Sequence, residues 1–190
     1  DRYTMQIGVL TVERYKDEAR ASYYAACYEA CLPKAFWDRT SADVKRNKRA
    51  FRRVVLAYIK RWKVALNNGY GLIFNGDNGT GKTLFLSFIL SQMIKRECTV
   101  YYTSLAQLDV DLKSGFTDNK RARRLEKLLD CDFLALDEMG KEHVKDNSYL
   151  RSRLELLLKT RFDNGDPTLL ATNLDLDTTE EHYGSSIASM

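Results

Sequence analysis

The sequence predicts an α/β fold in which a parallel sheet carries helices on its faces and is organised around a phosphate-binding loop. Three observations carry that expectation. From residue 71 onward, short segments of strand character alternate with segments of helical spacing. The first strand and helix are joined by Gly76-Asp77-Asn78-Gly79-Thr80-Gly81-Lys82-Thr83, which has the pattern G-x-x-x-x-G-K-[ST]. Three strands of the series end in polar side chains, at the edge of a parallel sheet where ligands bind.

The totals agree with a globular chain. Its 190 residues are 44% hydrophobic and 29% charged, with a formal net charge of +4. That length predicts one domain with appended helices. No apolar run approaches the length of a membrane span, so no membrane association is expected. No secretory signal is read at the start, and the four cysteines (Cys27, Cys31, Cys98, Cys131) do not suggest a disulfide framework. Together these predict a reduced, cytoplasmic protein. Cys27 and Cys31, one helical turn apart, lack a second ligand pair for zinc and read as packing residues. A start at Asp1 and an end in mid-pattern suggest part of a longer protein.

Residues 13 to 31 have helical spacing, with Tyr15, Ala19, Tyr23, Ala26, Cys27 and Ala30 on one face. Pro33 disfavours helix at the residue before it, so this helix ends near Leu32. Its tyrosines Tyr23, Tyr24 and Tyr28 read either as exposed to a partner or as packed on the body. Thr40 or Ser41 caps the next element. From Lys45 to Leu66, Phe51, Val54, Val55, Tyr58, Trp62, Ala65 and Leu66 follow helical spacing, closed by Gly69. That stretch holds nine Lys or Arg and no Asp or Glu, which points to a solvated face or to a nucleic-acid or acidic partner.

Gly71 to Asn75 reads as a buried strand, and Leu84 to Lys95 as a helix with Leu84, Phe85, Phe88, Ile89 and Met93 toward the sheet. The glycines between let successive N–H groups point inward at phosphate oxygens. Gly76, Asn78, Gly79, Thr80, Gly81, Lys82, Thr83 and Leu84 are thus the candidate nucleotide-binding set. Lys82 reaches the outer phosphates, and the Thr83 hydroxyl is a ligand for Mg²⁺.

A second strand is expected over 98–103, a short helix over 105–112 and a loop over 115–119. Lys120, Arg121, Arg123 and Arg124 then open a further helix as candidate DNA contacts, a plain surface helix being the competing reading. Asp132 to Leu136 is the third strand and delivers Asp137-Glu138 at its end. A helix over 149–162, capped by Asn147 or Ser148, leads through the turn 163–167 to a fourth strand, Thr168 to Ala171, and Asn173.

The strand ends are chemically complementary. Asp137 can hold Mg²⁺, Glu138 can orient and deprotonate an attacking water, and Asn173 can hold that water from the neighbouring strand. The competing role for Asn173 is to cap the next helix. Lys82, Glu138 and Asn173 are the candidate catalytic residues, with Thr83 and Asp137 for the metal and ATP as the ligand. His143 and His182 have no partner suggesting chemistry and read as surface residues.

Over residues 30 to 188 the chain resembles the AAA+ ATPases of the DnaC/DnaI helicase-loader type, with the transposition helper IstB as close kin. The likeness rests on Leu32-Pro33-Lys34-Ala35-Phe36, Gly71-Leu72-Ile73-Phe74-Asn75-Gly76, and Asp137-Glu138-Met139-Gly140-Lys141-Glu142. It continues through Arg161-Phe162-Asp163-Asn164-Gly165-Asp166-Pro167-Thr168, Leu169-Leu170-Ala171-Thr172-Asn173-Leu174 and Tyr183-Gly184-Ser185-Ser186-Ile187-Ala188-Ser189. The resemblance implies an ATPase that self-associates and places a replicative hexameric helicase on single-stranded DNA. It divides the chain into an amino-terminal helix or linker (1–31) and an AAA+ core (32–190), with the helical lid outside this chain. The family carries arginines near the Gly-x-x-Ile segment, one of which reaches a neighbouring subunit. Ser186 and Met190 stand in that neighbourhood here, so that group comes from Arg151, Arg153, Arg161 or a later residue, or is absent. A transposition helper of the IstB kind is the alternative, and a P-loop kinase a weaker one, since Glu138 stands where a water-activating residue belongs.

Overall fold

The computed structural model describes residues 6–7, 10–11, 18–45, 49–113, 119–140 and 148–183. Four strands form its parallel sheet: β3 (Leu72–Asn75), β4 (Val100–Ser104), β5 (Phe133–Met139) and β6 (Thr168–Thr172). Their order is β3-β6-β5-β4, so each successive strand is reached by a crossover through helix. Before them, β1 (Gln6–Ile7) and β2 (Leu10–Thr11) pair antiparallel. The helices are α1 (Glu18–Glu29), α2 (Ser41–Lys45), α3 (Arg49–Lys60), α4 (Trp62–Asn68), α5 (Lys82–Ile94), α6 (Leu105–Lys113), α7 (Asn119–Asp130), α8 (Ser148–Asn164) and α9 (Leu176–Tyr183).

The sheet separates two cores. On one face, Phe74, Val100, Phe133, Ala135, Leu169 and Ala171 pack with α5, α3 and α1. On the other, Tyr101, Leu134, Leu136 and Met139 pack with Leu105 and Leu108 of α6, Leu128 of α7, and Leu150, Leu154 and Leu157 of α8. Helix α5 lies between the sheet and the outer helices, so Phe85, Leu86, Ile89 and Leu90 are all fully buried around its circumference. Phe51 of α3 and Phe74 of β3 both lie against Phe85, with ring centroids 5.6 and 5.7 Å away, which binds the outer helix to the loop-bearing strand and helix.

The amino-terminal helix is part of this body. Tyr24, one reading of which put it at the surface, is 3% exposed; it stacks on Trp37 at 5.5 Å and donates to Asp38. Tyr23 donates to the Trp37 carbonyl at 2.7 Å, and only Tyr28 of the three is exposed. Cys27 is buried in the same core, and burial pushes its thiol up to about 11, so it remains protonated at neutral pH. Thr40 caps α2: its hydroxyl accepts from Ala42 N–H at 3.2 Å, while Asp43 accepts from Thr40 N–H at 2.8 Å.

The single helix expected over 45–66 is divided. Arg61, at φ −104° and ψ 24°, interrupts it between α3 and α4. Gly69, at φ +69°, ends α4 in the left-handed conformation that spares a side-chain clash. The third strand runs three residues further than expected, through Asp137 and Glu138 to Met139. The loop expected at 115–119 lies outside the described residues except Asn119. Asn147, His143, Ser186 and Met190 also lie outside them.

Arg161 is wholly buried on α8. Its guanidinium donates to the carbonyls of Leu128 (2.9 Å), Leu129 (3.2 Å) and Pro167 (3.1 Å), and to the Thr168 hydroxyl (3.1 Å). The first two are carbonyls of the last turn of α7, where the helix dipole favours a cation. One side chain thus fastens the end of α7 to the start of β6, and so Arg161 is not available to reach another subunit. Replacing Arg161 by Leu should lower the unfolding free energy by about 3 kcal/mol or more in urea titration, because several buried acceptors lose their donor. Arg161→Lys should restore little, since one ammonium cannot span the same fork of acceptors.

Candidate functional site

The loop after β3 turns through Gly79 (φ +79°) and Gly81 (φ +88°), conformations that a side chain would strain. Gly81 caps α5, whose first residues are Lys82 and Thr83, so the loop ends at a helix amino terminus, whose N–H groups favour an anion. Lys82 is 9% exposed; its ammonium donates to the carbonyls of Gly76 and, at 2.9 Å, of Asp77, which holds it across the loop. The Thr80 hydroxyl donates to the Asp77 carbonyl at 2.8 Å and braces the loop from within.

Asp137 of β5 meets this loop. Its carboxylate, 2% exposed, accepts from the Thr83 hydroxyl at 2.6 Å and the Tyr102 hydroxyl at 2.7 Å on one oxygen. The other oxygen accepts from the Glu138 N–H at 2.7 Å. Tyr102, on the neighbouring strand β4, is a participant that the sequence reading did not single out. Burial, with the Asp137 charge beside it, pushes its hydroxyl well above the usual range, so Tyr102 stays a proton donor. Alternation groups it with Val100 on one face of β4, and pairing with β5 sets that face beside Asp137.

Glu138 owes its position to an irregularity of β5. Leu136 pairs with Leu170 and Met139 with Thr172, so β5 carries one extra residue against β6. Strict alternation would place Glu138 in line with Leu134 and Leu136, inside the second core. Met139 fills that core instead, and Glu138, at φ +60°, projects to solvent. A non-glycine residue in this conformation stores strain, a feature that concentrates at functional sites.

Asn173 follows β6. Its amide donates to the Asn78 side-chain oxygen at 3.0 Å, joining the tip of β6 to the loop after β3. The cap of α9 is Asp175, which accepts from Thr178 N–H at 2.8 Å; hydrogen bonding from the Thr178 side chain, and then from its N–H, holds the Asp175 carboxyl below the usual range. Thus the loop-and-helix motif contacts Asp137 and Asn173 directly, and Glu138 is the residue that follows Asp137 on β5.

The candidate DNA contacts lie elsewhere. Lys120 and Arg121 fall on α7, but their side chains are outside the described residues. Arg123 is exposed, while Arg124 is joined to Asp111 at 2.8 Å. Arg151 donates to the Tyr183 carbonyl at 3.1 Å, and Arg153 lies over the Tyr149 ring at 5.2 Å. A cleft of about 620 Å³ is lined by residues such as Cys98, Thr99 and Cys131 at the amino ends of β4 and β5. It is therefore at the other end of the sheet from the loop. Among the described residues no helix is long and apolar enough to cross a membrane.

The strand order, the loop leading into α5 and the acidic tip of β5 define an AAA+ P-loop ATP-binding protein. Within that class, the chain belongs to the family described as IstB-like ATP binding protein, which matches residues 46–188. It is 25% identical over 143 residues to an IS21-like insertion-sequence ATP-binding protein of Bacteroides fragilis (strain YCH46), covering 72% of this chain and 67% of that protein. It is also 25% identical over 116 residues to the replicative helicase loader DnaI of Bacillus subtilis (strain 168), covering 60% of this chain and 37% of the loader. The chain thus spans well under half of that second relative. A crystal structure of DnaI superposes with a TM-score of 0.67 at 24% identity over 80% of both chains, a likeness of fold.

Tyr102→Phe removes one of three donors to a buried carboxylate. Unfolding in urea should show a loss of about 1–3 kcal/mol, the range for a hydrogen bond to a charged group, with the secondary structure by circular dichroism unchanged.

Proposed function

We propose that this protein hydrolyses ATP with Mg²⁺ and uses the cycle to place a replicative hexameric helicase on single-stranded DNA, acting as a self-associated AAA+ assembly. The observation that carries the hydrolytic part is the meeting of three strand ends on one loop, through Thr83 with Asp137 and Asn173 with Asn78. The donor set suits Mg²⁺: a hydroxyl and a carboxylate, both hard oxygens, touch beside the loop, and such sites need few protein ligands because phosphates and waters supply the rest.

Thr83 and Asp137 would hold Mg²⁺, which neutralises charge on the terminal phosphates when bound. The loop N–H groups from Gly76 to Leu84 cradle the phosphates, and Lys82 exchanges its carbonyl partners for their oxygens. Glu138 orients the attacking water and accepts its proton. Asn173 holds the same water from the tip of β6. Tyr102 keeps the Asp137 carboxylate oriented. On α7, Lys120, Arg121, Arg123 and Arg124 are DNA contacts of the assembly, with Arg124 constrained by Asp111.

A second reading is favoured by a specific observation. The IS21-like relative matches more of this chain, and more of its own length, than DnaI does. On that reading the same ATP site serves a transposase. Co-purification against a replicative helicase and an insertion-sequence transposase separates the two: retention of the helicase supports loading, and retention of the transposase alone overturns it.

For the chemistry, Glu138→Gln should leave ATP affinity near wild type while phosphate release falls by about 10²–10⁴-fold. Unchanged turnover would remove Glu138 from the base role. Lys82→Ala should weaken binding of a fluorescent ATP analogue by at least about tenfold, the loss of a charge-assisted phosphate contact. Wild-type affinity in that variant would overturn the cradle assignment.

A further inference from the structure

Charge on this protein is segregated. No Asp or Glu occurs between Asp43 and Asp77, whereas nine of the 30 Lys and Arg residues lie from Lys45 to Lys63. The remainder of the chain therefore carries more acidic than basic groups. In the structure Arg53, Lys60, Arg61 and Lys63 are exposed along α3 and α4 and the turn between them. Among the described residues none of the four pairs with a carboxylate. Other cations of the molecule do: Lys127 meets Glu29 at 2.8 Å, Lys113 meets Asp109 at 2.5 Å and Arg39 meets Asp43 at 3.5 Å.

This row is also rigid. Val55 and Ile59, on the inward side of α3, are buried, and Phe51 packs on Phe85. The ring of Tyr70, just beyond α4, is 59% exposed, although its backbone is pinned: its N–H donates to Ala65 at 2.9 Å and its carbonyl accepts from Tyr58 at 2.6 Å. Uncompensated like charges held at fixed spacing repel one another, and a polyanion laid along them relieves that cost. From Arg53 to Lys63 the row runs on the order of 15 Å at the helical rise, long enough to meet several phosphates. An exposed aromatic ring that follows α4, on a backbone tied to Ala65 and to Tyr58 of α3, offers a face on which an unpaired base stacks.

We propose that the outer face of α3–α4, together with Tyr70, is a binding surface for single-stranded DNA, gripping its phosphates through Arg53, Lys60, Arg61 and Lys63. The surface is separate from the α7 cluster and from the ATP site. It shares with the preceding reading only the premise that the protein works on DNA. A nucleic acid fits better than an acidic protein because the face joins cations to an exposed ring, with no acid to set the register of a protein partner.

The test is fluorescence anisotropy of a labelled oligothymidylate with the full chain over a series of salt concentrations. Combined Arg53→Gln, Lys60→Gln and Lys63→Gln should weaken binding at least about tenfold and reduce the slope of log affinity against log salt by about 2, at roughly 0.7 per lost phosphate contact. Tyr70→Ala should cost about tenfold and Tyr70→Phe almost nothing, as stacking requires. Lys60→Glu alone gives the same sign from a single exposed change. Binding of a fluorescent ATP analogue, unchanged in every variant, confirms that each is folded. The proposal falls if the wild type does not bind the oligonucleotide, or if the variants bind it with unchanged affinity and slope. It also falls if polyglutamate displaces the oligonucleotide at equal charge concentration, which would assign the face to an acidic protein. Failure of Glu138→Gln to slow hydrolysis would count against the ATPase reading and leave this result standing.

Discussion

The buried carboxylate of Asp137 is the constraint on which the site depends. A charge taken out of water is tolerated only where donors replace its hydration. Here the donors come from three separate pieces of chain: Thr83 at the start of α5, Tyr102 on β4 and the backbone of Glu138. Satisfying one side chain therefore fixes the phosphate loop against the two strands beside it. The geometry needed to hold a phosphate and the geometry needed to bury a charge are the same geometry.

A second constraint follows at the next residue. The face of β5 that carries Leu134 and Leu136 belongs to a dry core, so a carboxylate in regular alternation at Glu138 would be driven into it. One extra residue resolves the conflict by giving Met139 the core position and turning Glu138 outward. The cost is a positive φ on a residue with a side chain. Asp137 offsets part of that cost by accepting the Glu138 N–H, so adjacent acidic residues stabilise each other's unusual placements.

Much of this was legible in the sequence because it follows from local rules. The glycine spacing specifies a loop whatever surrounds it, and the four strand segments are short apolar runs bounded by turn residues. The tertiary features were not. Tyr102 is one of two consecutive tyrosines, and only pairing with β5 decides which one faces Asp137. The split of the 45–66 helix at Arg61 has no proline or glycine to announce it. Tyr24 was ambiguous because its burial depended on Trp37 and Asp38, which belong to the segment after the helix. The extra residue in β5 was hidden because Asp-Glu-Met reads equally well as a strand end.

The division of labour in the molecule follows from stiffness. Positioning reactive groups requires elements that do not move, and the strand tips supply them through pairing on both sides of β5 and β6. Gripping a long polyanion or a large partner requires area and charge, which a sheet buried on both faces cannot offer. Those properties fall to the outer helices, where solvent accepts unpaired cations at little cost. Phe51 connects the two layers, since its ring lies on Phe85, in the first turn of α5 beside the glycine loop. Surface charge on α3, α4 or α7 can thus change without disturbing the donors around Asp137.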